Sequence, residues 1–180
     1  MILETQLEVV IGILLRQHGL KLAVAESCTG GLVGHRLTNI PGSSDYYLGS
    51  ITAYAYEAKR RILGVSAQTL QEFGAVSRET AIEMARGVRL ALVDETLPES
   101  VLGLSVTGIA GPGGGTPDKP VGLVWIGLSA PDGEWAWHFV WDFDRIGNKA
   151  ASAQQALQLA VDYLTQKPLV DEKKSKRVFI

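Results

Sequence analysis

The chain has 180 residues, a formal net charge of −2 and 46% hydrophobic residues. That length suits one domain with a core of its own, and the near-neutral charge argues against a nucleic-acid-binding protein, where a basic face is expected. The single cysteine, Cys28, excludes an internal disulfide framework and fits a reducing compartment. No basic leader precedes the apolar run of residues 9–15, which is too short to span a bilayer, so we expect a cytoplasmic protein that is not bound to a membrane.

The apolar pattern predicts five strands and six helices. The strands cover residues 22–25, 49–55, 101–106, 121–129 and 135–143. The helices cover residues 7–15, 30–39, 56–63, 66–73, 77–92 and 145–164. A glycine-rich loop, residues 107–120, joins the third and fourth strands. Residues 1–167 are expected to form a single domain, and residues 168–180 a charged, flexible tail.

The connections between strands predict the fold class. Helices join strands one, two and three, so these strands are expected to be parallel. Strand four follows strand three without a helix and precedes strand five by the turn Pro131-Asp132-Gly133, so it is expected to run against its neighbours. The predicted fold is α/β: a three-layer α/β/α arrangement with a mixed five-stranded sheet in which strand four is antiparallel to the rest.

Polar side chains follow each of the first three strands. Ser27 comes after strand one, Tyr54 and Lys59 after strand two, and Thr107 with the glycine-rich loop after strand three. The carboxyl ends of parallel strands meet at one edge of the sheet, where open α/β sheets bind ligands. A serine needs a base to become a nucleophile, and a buried neutral lysine is such a base. The sequence therefore predicts a hydrolytic site of Ser27, Lys59 and Tyr54, against the alternative of an exposed lysine and a tyrosine at the edge of the core.

The turn after Ser27 is a candidate for substrate binding. Glycines are costly inside a helix, so Gly30 and Gly31 indicate that something approaches the backbone closely there. Thr29 and the first backbone N–H groups of the following helix are candidates to bind the substrate or a developing oxyanion. The alternative is a helix cap without chemistry.

The glycine-rich loop is a second candidate, because loop amides can cradle a phosphate, although a flexible connection is the alternative. Its predicted substrate contacts are Thr107, Gly108, Gly111 and Gly113. Arg145, at the start of the last helix, is a candidate to bind a phosphate. The histidines are scattered, so the sequence predicts neither a metal site nor a cofactor.

Several motifs resemble one known family. They are residues 25–31 (AESCTGG), 54–59 (YAYEAK), 74–77 (GAVS), 105–112 (SVTGIAGP) and 119–122 (KPVG). Together they are similar to the CinA C-terminal domain family, from about residue 7 to residue 164. The enzymatic members of this family are nicotinamide-nucleotide amidohydrolases, called PncC. The resemblance implies a serine nucleophile at Ser27 with tyrosine and lysine partners at Tyr54 and Lys59.

The resemblance implies deamidation of nicotinamide mononucleotide to nicotinate mononucleotide and ammonia, within pyridine-nucleotide recycling, by a stand-alone domain. In this hypothesis Lys59 is the general base, Tyr54 assists proton transfer, and Tyr56 is an alternative to Tyr54. A non-catalytic nucleotide-binding or regulatory module of the same fold, and a Ser-Lys amidase for another small amide, are the alternatives. A small-molecule nucleotide is the expected partner. A homo-oligomer is also expected, because the aromatic residues of strand five (Trp135, Trp137 and Trp141) are a candidate partner surface, with ordinary sheet packing as the alternative.

Overall fold

The computed structural model describes residues 6–93 and 98–166. In this part of the chain the helices are α1 Leu7–His18, α2 Leu32–Thr38, α3 Tyr56–Leu63, α4 Ala67–Glu72, α5 Arg78–Leu92 and α6 Arg145–Leu164. The strands are β1 Lys21–Glu26, β2 Tyr47–Thr52, β3 Val101–Gly108, β4 Leu123–Ala130 and β5 Gly133–Val140. The charged segment 168–180 lies outside the described residues, and the single domain at residues 1–167 stays a prediction.

The five strands form one sheet in the order β2-β1-β3-β4-β5. β1 pairs in parallel with both β2 and β3, whereas β4 pairs antiparallel with β3 and β5. β5 therefore runs in the same direction as the first three strands, and β4 runs against all of them. The predicted fold class, with its fourth strand antiparallel to the rest, is confirmed.

Helices cover both faces of the sheet, which is why β1 reads as an unbroken apolar run. Alternate residues of a strand point to opposite faces, and β1 shows this separation. Leu22 and Val24 belong to a core with α1, α2 and α6, whereas Ala23 and Ala25 belong to a second core with α3, α4 and α5. This alternation continues to the end of β1 and beyond it. It therefore directs Glu26 and Ser27 to opposite faces of the sheet.

Glycines in β3 and β4 let α5 lie directly on the sheet. A Cβ atom on Gly103 would lie 2.0 Å from the carbonyl oxygen of Ala85, and one on Gly127 would lie 2.4 Å from that of Ala81. Side chains larger than hydrogen are therefore excluded at both contacts. The close approach brings the turn between α4 and α5 down to the carboxyl edge of the parallel strands.

Two element boundaries differ from the sequence-based prediction in ways that matter for the site. α2 begins at Leu32 and not at Gly30, because Gly30 and Gly31 have left-handed φ angles of +64° and +98°. β2 spans Tyr47–Thr52 and not residues 49–55. The backbone leaves the sheet after Thr52, and an extended Ala55 then caps α3. The chain between β2 and α3 is thus a separate segment whose carbonyl groups are available to the site.

Candidate active site

Ser27 is held by backbone hydrogen bonds on both sides of its peptide unit. Its N–H donates to the carbonyl oxygen of Val106 in β3 over 2.9 Å. The carbonyl oxygen of the preceding Glu26 accepts from the N–H of Ala53 over 2.9 Å. The parallel ladder therefore continues one residue beyond β1 toward both neighbouring strands. Ser27 is only 7% exposed, so it is buried at the carboxyl edge of the sheet and does not lie on the protein surface.

Lys59 contacts Ser27 directly. It lies in the first turn of α3, is 1% exposed, and its Nζ is 2.9 Å from Ser27 Oγ. The same Nζ donates to the carbonyl oxygens of Ala53, at 2.8 Å, and Tyr54, at 3.2 Å. These two carbonyls occupy two of the positions around the nitrogen, and Ser27 occupies a third. In the neutral amine, two N–H bonds to the carbonyls leave the lone pair directed at the serine hydroxyl.

The surroundings of Lys59 favour its neutral form. Burial lowers the pKa of Lys59 from its ordinary 10.5 to about 8, because the ammonium ion loses its hydration. Burial likewise raises the pKa of the neighbouring Cys28 thiol to about 12, so this thiol is uncharged at neutral pH. With a pKa near 8, about a tenth of Lys59 is neutral at pH 7 and half at pH 8. Lys59 is therefore suited to act as a base near neutral pH.

Ser27 and Lys59 open into a cavity of about 380 Å³, a size at the lower end of ligand-binding sites. The turn after β1, the β2–α3 segment, the α4–α5 turn, the loop after β3 and the start of α6 form its walls. Lys119 and Arg145 bring positive charge to this lining, and none of the described residues that form it is an aspartate or glutamate. The cavity is therefore suited to a ligand that carries negative charge.

The tyrosines differ from their predicted role. Tyr54 lines the cavity, but its hydroxyl accepts a hydrogen bond from Nη2 of Arg145 at 3.1 Å, and only its backbone carbonyl contacts Lys59. In this geometry the Tyr54 hydroxyl is directed to Arg145 rather than to Ser27 or Lys59, and its role in assisting proton transfer stays a prediction. The Tyr56 hydroxyl accepts from the N–H of Ala75 at 3.4 Å, so it is directed to the opposite wall.

The turn of Thr29, Gly30 and Gly31 is also arranged differently from the prediction. None of the three lines the cavity. The glycines are needed for left-handed backbone angles, and the N–H of Gly31 donates to the carboxylate of Glu26 at 2.9 Å. A carboxylate of the chain itself therefore already occupies the Gly31 amide, and substrate binding by this turn stays a prediction.

The glycine-rich loop contributes part of what was predicted. Thr107 and Gly108 line the cavity, whereas Gly111 and Gly113 do not. The Thr107 hydroxyl donates to the carbonyl oxygen of Ala75 at 2.7 Å and so joins β3 to the α4–α5 turn. The Gly111 carbonyl accepts from Nη1 of Arg145 at 2.5 Å. Gly111 therefore orients the predicted anion-binding arginine and does not line the cavity itself.

Two cations were not assigned to the site from the sequence. Lys119 lines the cavity and donates to the carbonyl oxygen of Phe73 at 2.5 Å. Lys149, one turn beyond Arg145 on α6, lies over the turn after β1, with its Nζ 3.7 Å from the position of a Cβ on Gly30. The signal for Lys119 was present in the motif of residues 119–122, whereas the position of Lys149 depends on how α6 docks. Among the described residues there is neither a group of three metal-ligating side chains nor a helix long and apolar enough to cross a membrane.

Comparison with known proteins identifies the family and the fold of the chain. The model of a protein family described as the CinA C-terminal domain matches residues 4–164. A CinA-like protein of Salinibacter ruber is 50% identical over 157 residues, which are 87% of this chain and 37% of the relative. A putative competence-damage inducible protein of Halothermothrix orenii is 50% identical over 162 residues, 89% of this chain and 38% of the relative. The chain thus spans less than two fifths of the length of these curated relatives.

Solved structures show the same fold over nearly their whole length. The competence/damage inducible protein CihA of Agrobacterium tumefaciens superposes with a TM-score of 0.77 at 38% identity, covering 89% of this chain and 96% of that one. The competence damage-inducible protein A of Klebsiella pneumoniae superposes with a TM-score of 0.82 at 29% identity, covering 91% of this chain and 98% of that one. None of these names states a reaction, so the chemistry has to be argued from the site.

Proposed function

The chain belongs to the CinA C-terminal domain family, and on that premise we propose that it is an amidohydrolase that deamidates nicotinamide mononucleotide through an acyl-enzyme on Ser27. The observation that supports this most strongly is the 2.9 Å contact between Lys59 Nζ and Ser27 Oγ at the bottom of a cavity. Lysine as the base of a serine nucleophile is a known variant of the catalytic triad.

The reaction follows from the positions of these two residues. Neutral Lys59 accepts the hydroxyl proton as Ser27 Oγ attacks the carbon of the carboxamide, and a tetrahedral intermediate forms. The Lys59 ammonium then transfers that proton to the amide nitrogen, the C–N bond breaks, and ammonia leaves. Water next attacks the ester on Ser27, and Lys59 takes the proton from this water and returns it to the serine oxygen. The sum is one amide and one water converted to one carboxylic acid and one ammonia.

The charge of the cavity supports a substrate with a phosphate. Lys119 and Arg145 line the cavity, and no ion pair joins either of them to a carboxylate in the described part of the chain. The rings of Tyr54 and Tyr56 lie in the same lining, and aromatic rings attract a planar cation such as a pyridinium ring. Nicotinamide mononucleotide carries both groups together with the amide.

The test is incubation of the purified protein with nicotinamide mononucleotide, with ammonia and nicotinate mononucleotide measured together. We expect equal amounts of the two products, both with and without a chelator. Ligand-induced thermal stabilisation without ammonia would indicate a binding module and contradict an enzyme. Faster release of ammonia from another small amide in a substrate panel would replace the proposed substrate. The cytoplasmic location and the homo-oligomeric state stay predictions.

A further inference from the structure

Glu26 is a fully buried carboxylate, 0% exposed, directly before the proposed nucleophile. It does not line the cavity, and no role in the proposed reaction has been given to it. Among the described residues no cationic side chain forms an ion pair with it. A buried carboxylate is costly unless its oxygens are hydrogen-bonded, so its partners need to be identified.

Four donors surround this carboxylate. Oε2 accepts from the backbone N–H groups of Gly31, at 2.9 Å, and Val33, at 3.1 Å. Oε1 accepts from the backbone N–H of Gly34, at 2.9 Å, and from the hydroxyl of Ser50 in β2, at 3.2 Å. Three of these donors are amides at the start of α2, where the helix dipole favours a negative charge. The carboxylate therefore takes the place that an anionic ligand occupies at many helix N-termini.

The alternation of the strand explains how this contact acts on the site. Glu26 is directed to the face of the sheet that carries α2, and Ser27, the next residue, is directed to the face that carries Lys59. The segment from Ser27 to Gly31 is thus fixed at its first residue by the backbone ladder and at its end by the Glu26 carboxylate. Glycine has access to a wider range of backbone conformations than any other residue type. The turn that contains Gly30 and Gly31 therefore needs such a restraint.

We infer that Glu26 is a positioning residue for the nucleophile: its carboxylate anchors the turn after Ser27 to the start of α2 and keeps the serine hydroxyl against Lys59. A second consequence is that the amides of Gly31, Val33 and Gly34 are occupied by the chain itself and do not bind the substrate. The inference rests on the proposed function only in naming Ser27 as the nucleophile.

The principal test is Glu26→Gln, with kcat and KM measured for nicotinamide mononucleotide. A glutamine keeps the shape but turns one acceptor into a donor that faces backbone N–H groups, so the turn loosens. We expect kcat to fall at least tenfold with KM within about twofold of wild type, because the side chain lies outside the cavity. Glu26→Asp keeps the charge at a shorter reach, and we expect it to recover part of kcat.

Glu83→Gln is the matched control. This carboxylate also accepts a backbone N–H, from Ser66 at 2.8 Å, and a hydroxyl, from Thr69 at 2.7 Å, but it belongs to the α4–α5 contact and not to the Ser27 turn. We expect it to lower the melting temperature without lowering kcat. If Glu26→Gln keeps kcat within twofold of Glu83→Gln, or raises KM while kcat is retained, the inference is wrong. If Glu26→Gln is unfolded in a melting assay, Glu26→Asp is compared with Glu83→Gln instead. A kcat of Glu26→Asp within twofold of that of Glu83→Gln would then contradict the inference.

A substrate-independent measurement separates this inference from the proposed function. A fluorophosphonate phosphonylates activated serines: the serine oxygen bonds to phosphorus and fluoride leaves, and intact mass gives the rate of this addition to Ser27. If the wild type releases no ammonia from nicotinamide mononucleotide but is labelled, the proposed substrate fails, and slower labelling of Glu26→Gln still supports the positioning role. Equal labelling rates in the two proteins would overturn that role. No labelling of the wild type at all would contradict both.

Discussion

Replacing Lys59 by methionine should change how the stability of the protein depends on pH. The two side chains are similar in length, but methionine carries no ionisable group. Burial lowers the pKa of Lys59 from 10.5 to about 8 in the folded protein, whereas the unfolded chain exposes the side chain to water. Because Lys59 is 1% exposed, solvent does little to screen this effect.

The sign and size of the change follow from linkage. Between pH 8 and pH 10.5 the unfolded chain binds the Lys59 proton and the folded protein releases it, so the stability of the wild type rises with pH across this window. The full difference in pKa corresponds to about 3 kcal/mol, at about 1.4 kcal/mol for each pH unit. Of this, about 2.5 kcal/mol is expected between pH 7 and pH 10. The stability of Lys59→Met should not show this increase, because methionine has no ionisable group.

Urea denaturation followed by tryptophan fluorescence at pH 7, 8, 9 and 10 measures this difference. The free energy of unfolding of the wild type, relative to Lys59→Met, should increase by about 2.5 kcal/mol from pH 7 to pH 10. Lys21→Met, a replacement of an exposed lysine at the start of β1, provides the background change. Parallel curves for the wild type and Lys59→Met would show that folding leaves the proton affinity of Lys59 unchanged, and the argument for a neutral base would fail.

Three further predictions concern the reaction itself. The kcat/KM of the wild type should rise about tenfold per pH unit below pH 8 and level off above it, because neutral Lys59 is the active form; a flat profile from pH 6 to pH 8 would contradict this role. Arg145→Ala should raise KM for nicotinamide mononucleotide at least tenfold but leave KM for the riboside, which lacks the phosphate, nearly unchanged; equal effects on both would remove Arg145 from phosphate binding. Tyr54→Phe should lower kcat by less than threefold, since the hydroxyl contacts Arg145 and not Lys59, and a hundredfold loss would show that the hydroxyl assists proton transfer after all.

The fold was predictable because its signals are local. Apolar runs bounded by glycine and proline identify the strands, and the helices between the first three strands require those strands to be parallel. From this follows the shared edge that brings Ser27 next to Lys59, a contact of residues 32 positions apart in the sequence. Both residues lie in segments that follow a parallel strand at the carboxyl edge of the sheet. This placement was therefore enough to predict the Ser27–Lys59 pair.

The sequence could not predict the directions of side chains after the strands end. Tyr54 follows β2 as expected, but its backbone turns toward α3, so the carbonyl faces Lys59 and the hydroxyl faces Arg145. The glycines after Ser27 indicate an approach site for a ligand when only the sequence is considered, because no local pattern shows that Glu26 bends back to cap α2. Such contacts depend on the docking of whole helices, which single-residue preferences do not describe.

The most direct test of the Ser27–Lys59 pair is the rate of ammonia release from saturating nicotinamide mononucleotide by Ser27→Ala. Ser50→Ala, which removes a hydroxyl that contacts Glu26 and lies outside the cavity, serves as the matched control. We predict a loss of about ten-thousandfold or more for Ser27→Ala, as expected when a nucleophile is removed, and a loss of less than tenfold for Ser50→Ala. A Ser27→Ala variant that releases ammonia at a rate within tenfold of the wild type would contradict the account.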